Sequence, residues 1–519
     1  MRLSISPTLA SLLLFAGLAS ELVSAGAVAR VNNIPSQDYV KPRRTSSILI
    51  SPAALPKLPS ASAAKAAASA ADLNLTDIQG DLLIGMKKNK EFFFFFGINN
   101  ATDFKAKLAS KILPLITTTT QLLNVATQPV TALNIAFSQT GLNALNIGDS
   151  LGDSAFANGQ LADLTNLGDP GSTNWVPQFV GTNIHGVILL ASDTLNNINS
   201  ELDSLKSAMG SSMTEIYSLQ GAARPGPEAG HEHFGFLDGI SNPAVDGFVA
   251  SPVAGQAVVP AGEILVGETG DTVTRPAWAK DGSFLVFRQL KQLVPEFNKF
   301  LTDNPIRAPG LTVQEGSDLL GARMVGRWKS GAPVFLAPHT DDPALGADPT
   351  RNNNFTFAAP GQSRSDPTDQ TKCPFSAHIR KTRPRADLGL PESSSNHHHI
   401  MRAGIPYGPE VSSEEASSST SSTERGLAFV AYQSNIVSGF RFLQQIWADN
   451  ANFVHPGTGV DPIIGRATGS AADAPRVIGG LDPTNSSRTI TIMTDFVVSR
   501  GGEYFFSPSL SAIANTLSV

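Results

Sequence analysis

The hydrophobic positions of this chain switch period repeatedly, and each switch marks an element. Asp81 to Ile98 holds an apolar run with five consecutive phenylalanines, Phe92 to Phe96. A short run without polar alternation predicts a strand buried on both faces. Helical spacing follows from Phe104 to Leu123, then a strand over Val130–Phe137. Further on, Val187–Leu190 predicts a strand, the set Leu195, Ile198, Leu202 and Leu205 a helix, and Thr214–Leu219 a strand. The resulting order, β-α-β-β-α-β, is that of a ferredoxin-like unit.

The second half repeats the pattern. Phe284–Leu290 predicts a strand, Val313–Val325 a helix, and His399–Ile405 and Leu427–Tyr432 two strands. Ile436, Phe440, Leu443 and Trp447 form one helix face, and Ile490–Val498 is the expected closing strand. Two such halves predict an α+β protein of two ferredoxin-like domains, residues 72–250 and 251–519, with a cavity where they meet.

The remaining segments read differently. Arg2, the apolar run Leu9–Ala19 and the small residues Val23-Ser24-Ala25 have the parts of a secretion signal, assigned to residues 1–25; Ala27-Val28-Ala29 is an alternative cleavage site. The run is shorter than the roughly 20 residues a membrane span needs, so no membrane segment is expected in the mature protein. Residues 26–71, rich in Ala, Ser and Pro, read as a pro-segment or disordered arm, with a loose helix open to the alanines. Ser412–Glu424 reads as an exposed loop. Secretion would permit disulfides, but Cys373 is the only cysteine, so no intrachain bridge can form. Sequons at Asn74, Asn100, Asn354 and Asn485 fit a secreted glycoprotein. The net charge of −6 carries no basic excess, which argues against a nucleic-acid partner.

Three stretches could carry chemistry. In Gly235-Phe236-Leu237-Asp238-Gly239-Ile240-Ser241-Asn242-Pro243, Asp-Gly and Asn-Pro are ordinary turn signals. The bracketing glycines would equally let the backbone approach a flat ligand and present one carboxylate to it. The second stretch is Cys373-Pro374-Phe375-Ser376-Ala377-His378-Ile379-Arg380-Lys381-Thr382-Arg383-Pro384-Arg385. It reads either as a solvated basic loop or as a haem site, with imidazole on the iron and arginines on the propionates. In the third, His399-Ile400-Met401-Arg402-Ala403-Gly404-Ile405-Pro406-Tyr407, an arginine in an apolar strand needs a partner. It forms a structural ion pair or stabilises charge developing on a bound molecule.

In this order the three stretches resemble the dye-decolorizing peroxidase family, in particular its secreted fungal members, from about Asp77-Ile78-Gln79-Gly80 to about Val498. The resemblance implies a pair of ferredoxin-like domains of the dimeric α/β-barrel type, with one haem b per chain in a cavity of the second domain near the interface. It implies His378 as the axial iron ligand, Asp238 as distal acid-base and Arg402 as its cationic partner. Arg385 is implied to pair with a propionate, with Arg380, Gly239 and Ile240 also at the cofactor. Asp461 would stand behind His378, and Tyr407 would be a surface electron relay, with Trp447 the second candidate. A second arginine expected after Arg402 is Ala403 here. Hydrogen peroxide would be the oxidant and dyes, phenols and related aromatics the reductants. An aspartate base, with an ordinary pKa of about 3.9, implies work in acid.

Other features have simpler readings. His231 and His233 are expected at the cavity entrance or in a structural role. In the trio His397-His398-His399, neighbouring strand side chains would face opposite sides, which argues against a second metal site. The four tryptophans read as core residues. The rival function is a secreted haem-binding protein without turnover, which needs His378 but not the pair Asp238 and Arg402. A hydrolase is a more distant rival, with no Gly-x-Ser-x-Gly signature to support it.

Overall fold

The computed structural model describes residues 53–86, 89–124, 128–485 and 487–519; the signal and the larger part of the expected pro-segment lie outside the described residues. The phenylalanine run forms β1 (Lys90–Ile98). Phe93 and Phe95 face one way and Phe94 and Phe96 the other, all essentially inaccessible, as expected of a strand buried on both faces. The first half continues with helix Ala101–Lys107, β2 (Ala132–Phe137), β3 (Gly186–Ser192), helix Leu195–Met209 and β4 (Met213–Ala222). The Thr194 hydroxyl caps the second helix by accepting from Asn197 N at 3.3 Å. Its buried stripe is the predicted one, Ile198, Leu202 and Leu205, with Met209 added.

A short parallel pair, β5 (Ala244–Val245) and β6 (Val258–Val259), separates the halves. The second half has β7 (Ser283–Gln292), helices Val294–Asp303 and Val313–Val325, β8 (Met401–Arg402), β9 (Ile405–Tyr407) and β10 (Gly426–Gln433). Helix Phe440–Phe442 runs on as a π-turn over Leu443–Ala448. A hairpin, β11 (Arg476–Gly479) and β12 (Thr489–Ile492), precedes β13 (Val497–Ser507).

Three expectations change here. The predicted strand 399–405 is broken into β8 and β9. The closing strand is β13, because Thr489–Ile492 alternates exposed and buried and pairs only within its hairpin. The Ser/Thr/Glu tract is not a plain loop: Ser413–Ser418 is a helix with a capping box, and Glu415 is buried against Arg425. A buried guanidinium needs such a partner. The alanine tract forms helix Ala61–Ala71, which seats Ala64 and Ala68 in the main core.

All the large-sheet pairings are antiparallel, and the order β7-β13-β2-β3-β1-β4-β9-β10 closes through β10 onto β7. The two halves therefore share one barrel, joined by single residue pairs, Phe506 with Phe137 and Gly221 with Tyr407. Rings fill its interior: Phe287 lies 5.1 Å from Phe93 and 4.8 Å from Phe95, and Phe505 lies 6.1 Å from Phe95. Each such buried side chain contributes about 1.5–3 kcal/mol. The barrel interior between the halves is thus packed solid, and the expected cavity lies outside it, over the second half's strands, with Leu167, Asp169 and the loop around Asp238 from residues 72–250 in its lining.

Candidate active site

A cavity of about 330 Å³ lies on the outer face of the second half's strands, within the range for small-molecule sites. Leu290, Gln292, Leu427, Phe429, Val497 and Ser499 form its floor. These residues alternate with Phe287, Ala428 and Val430, which point into the barrel. The loop around Asp238, helix His378–Thr382 and the turn at Leu443–Trp447 complete the enclosure.

His378 opens its helix with Nδ1 at 2.7 Å from Asp461 Oδ2. Asp461 is inaccessible, and its other oxygen accepts from Ile463 N at 2.8 Å and Ile464 N at 3.1 Å. A carboxylate held this way places the proton on Nδ1 and leaves the Nε2 lone pair for a metal. Burial alone would lower the imidazole's pKa; the Asp461 charge and hydrogen bond outweigh it and raise it.

Asp238 lies on the same cavity wall as Arg402. Gly235 and Gly239 adopt φ of 94° and 89°, so the tight loop around the carboxylate needs glycine at both places. The carboxylate accepts from Gly239 N at 2.6 Å and forms an ion pair with the Arg402 guanidinium, both side chains about one-third exposed. Burial pushes the Asp238 pKa up, but the Arg402 charge and the two hydrogen bonds outweigh it and hold the group below its ordinary value.

Two further guanidiniums, Arg327 and Arg385, reach the cavity wall without a carboxylate partner among the described residues. Arg385 donates to Asn353 O at 3.0 Å, to Asn353 Oδ1 at 2.6 Å and to Phe355 O. Arg327 donates to the same Asn353 Oδ1 at 3.1 Å and to Asn352 O at 2.6 Å. Burial pushes Arg327 down to about 9 and Arg385 well below an ordinary arginine. On the same wall, Arg383 pairs with Glu392 through Nη2, while among the described residues its Nε and Nη1 are buried without a hydrogen-bond partner. Uncompensated buried cations and orphaned donors call for anionic oxygens. Among the described residues no cluster of three or more His, Cys, Asp or Glu could hold a metal. An aspartate-backed histidine facing an apolar cavity with a cationic rim fits haem, whose porphyrin supplies the other iron ligands and whose two propionates supply the anions.

The chain is 60% identical over 515 residues to a dye-decolorizing peroxidase of Mycetinis scorodonius, with 97% of this chain and 98% of that one covered. This chain belongs to the Dyp-type peroxidase family. The model of the DyP dimeric alpha+beta barrel domain matches residues 77–225, and that of the Dyp-type peroxidase C-terminal region matches residues 231–455. The crystal structure of a decolorizing peroxidase from Auricularia auricula-judae is similar with a TM-score of 0.82 at 58% identity, covering 86% of this chain and all of that one. A dye-decolorizing peroxidase whose heme pocket was engineered for asymmetric sulfoxidation matches equally, TM-score 0.82 at 58% identity, with the same coverage of each chain.

Against this Dyp-type frame, His378, Asp238, Gly239, Ile240, Arg385 and Arg402 all line one cavity, with Asp461 directly behind His378. Arg380 does not line it. Its guanidinium takes both oxygens of Asp387, 2.7 Å each, and lies 3.9 Å from the Phe375 ring centroid, so it is a structural cation. Tyr407 is not a surface residue: it is 3% exposed, inside the barrel cluster, and its hydroxyl donates to Glu424 at 2.9 Å. The odd offset from Arg402 does turn it away from the cavity, but into the barrel interior. The histidine trio is not a strand; residues 392–398 form a 3-10 helix, and His398 and His399 both reach the cavity. His233 is buried, 2.9 Å from Tyr407 O, while Glu232 between the two histidines lines the cavity. Arg327 and Arg383 read as ordinary cations in the sequence; only the structure shows that, among the described residues, Arg327 has no carboxylate partner and two of the Arg383 nitrogens have no acceptor.

Proposed function

We propose that this chain is a secreted haem peroxidase, holding one haem b through His378, that reduces hydrogen peroxide and oxidises dyes, phenols and related aromatics one electron at a time. The observation that carries the reading is the shared cavity: an aspartate-backed histidine on one wall and a carboxylate–guanidinium pair on another. A protein that only carried haem would have no use for that pair. When bound, haem supplies the iron that takes peroxide and stores its oxidising equivalents.

The residues' own work follows from their chemistry. Asp461 holds the His378 ring in one tautomer and strengthens it as a donor. Asp238, kept ionised by Arg402, can take the proton from one peroxide oxygen and return it to the other. Arg402 supplies fixed positive charge where the departing oxygen becomes negative. Arg385, Arg327 and Arg383 would hold the propionates. Because Asp238 stays ionised below the ordinary carboxylate range, the base persists in acid, which supports an acidic working range. Secretion rests on the N-terminal signal pattern; among the described residues no helix is long and apolar enough to cross a membrane. Optical spectra of the purified protein with and without peroxide test the reading. A Soret band that peroxide shifts and a reducing dye restores supports it; a band indifferent to peroxide leaves a haem carrier.

A further inference from the structure

β8 is only two residues long, and β10 pairs with it along one side, Ala431 opposite Arg402 and Tyr432 opposite Met401. On its other side the Arg402 main chain meets a side chain. Arg402 N donates to Asn242 Oδ1 at 3.3 Å, and Asn242 Nδ2 donates to Arg402 O at 2.8 Å. A primary amide offers one acceptor and one donor side by side, the same pair of groups a neighbouring strand would offer.

Asn242 stands four residues after Asp238 in the same loop. That loop therefore holds Arg402 at both ends, the guanidinium through Asp238 and the main chain through Asn242. The loop is itself tied down, since Gln256 Nε2 donates to Asn242 O at 3.2 Å and Asp238 N donates to Gly230 O at 3.1 Å. We propose that Asn242 is a positioning residue for the peroxide reaction: its amide sets where Arg402 stands over the cavity, so that one loop fixes the spacing of the distal pair. The inference rests on the peroxidase reading. Its simpler competitor is that Asn242 serves only the Asn-Pro turn, in which case its loss would affect folding stability and nothing else.

Asn242→Ala should lower the second-order rate with peroxide about tenfold or more, since displacing a reacting group by ~1 Å can cost about 10²-fold. It should weaken fluoride binding to the ferric haem by a similar factor, because the guanidinium would stabilise that anion. Haem content should stay at the wild-type value. Gln256→Ala loosens the loop from its far side while keeping the amide on Arg402, and should stay near wild type in both measurements. Should Asn242→Ala fail to fold, isosteric Asn242→Asp replaces the donor facing Arg402 O by an acceptor and should weaken both in the same direction. Wild-type peroxide rate and fluoride affinity in the Asn242 variant would overturn the proposal, as would an equal loss in Gln256→Ala. A wild-type protein inert to peroxide would instead sink the peroxidase reading, and the fluoride series would still decide the role of Asn242.

Discussion

The two halves follow the same β-α-β-β-α-β order, yet they treat the outer faces of their strands in opposite ways. In the first half, Phe94 and Phe96 pack under Phe104, Leu108, Ile198 and Leu202, with the Lys206 ammonium 5.2 Å over the Phe94 ring. Over β7, β10 and β13 of the second half the outward residues include Arg288, Gln292 and Ser499 among leucines and a phenylalanine, and the overlying segments leave a cavity. Arg288 is held there by both oxygens of Asp169 at 2.7 Å. One topology thus gives a sealed layer and a site, and the difference lies in which side chains occupy one face of three strands.

The sharpest way to break the comparison is to remove the one group that the first half has no counterpart for. His378→Ala should leave protein with little haem, measured by the ratio of Soret to protein absorbance. Stoichiometric haem with an unchanged spectrum would make the ligand assignment wrong. Asp238→Asn should keep haem and lose about 10²–10⁴-fold in the rate with peroxide, the usual worth of positioned acid-base chemistry. Stopped-flow mixing reads this, and an unchanged rate removes Asp238 from the mechanism. The same experiment across pH has a definite sign. The folded pKa of Asp238 is depressed, so its stabilising ionised form is fully present above the ordinary aspartate value and is lost only as pH falls through the lower folded value. The acid limb of the peroxide rate should therefore lie below the ordinary aspartate range; a limb at or above it would contradict the Arg402 pairing.

Next comes the sealed layer. Phe96→Ala in the first half opens a cavity where none is tolerated and should cost about 3–5 kcal/mol of stability, with the haem spectrum unchanged in the protein that remains folded. Leu290→Ala, in the cavity floor, should cost less in denaturant unfolding of the haem-free protein and show its effect in haem retention. Equal stability losses without any effect on haem would mean that the two faces do not differ in kind.

How much of this was legible in the residues follows from what each signal depends on. The phenylalanine run and the Leu195–Leu205 stripe were read correctly because periodicity reports burial of one element against its neighbours. Closure of the barrel was not legible: it depends on single pairs, Phe506 with Phe137 and Gly221 with Tyr407, between segments far apart in the chain. That the barrel interior is filled is not legible either, because nothing local announces that Phe93, Phe95, Phe287 and Phe505 converge there. Asp238, His378 and Arg402 could be named because a family pattern surrounds them. The role of Arg380 is not legible, because a cation near a ligand histidine looks the same in sequence whether it faces haem or an acid seven residues on, as Asp387 is. Arg327 was missed for the converse reason, since the absence of a partner is visible only in three dimensions.

The smallest expected effect concerns the route by which electrons enter from large dyes. A bulky ring system cannot enter a cavity of about 330 Å³ already suited to haem, so the electron must cross side chains. Tyr407, the first candidate from sequence, is turned into the barrel, away from the cavity. Trp447 instead lines the cavity, with its ring 5.3 Å from Phe453 in a stacked arrangement and 5.1 Å from His398. Its neighbour Ile446 is 42% exposed, so the turn carrying Trp447 reaches the surface. Trp447→Phe should slow oxidation of a large anthraquinone dye several-fold while the peroxide rate and small-phenol oxidation stay near wild type. Tyr407→Phe should leave all three rates unchanged and lose only its hydrogen bond to Glu424, about 1 kcal/mol in denaturant unfolding. If Tyr407→Phe slows the dye and Trp447→Phe does not, the electron crosses the barrel interior, and that packed aromatic interior carries function as well as stability.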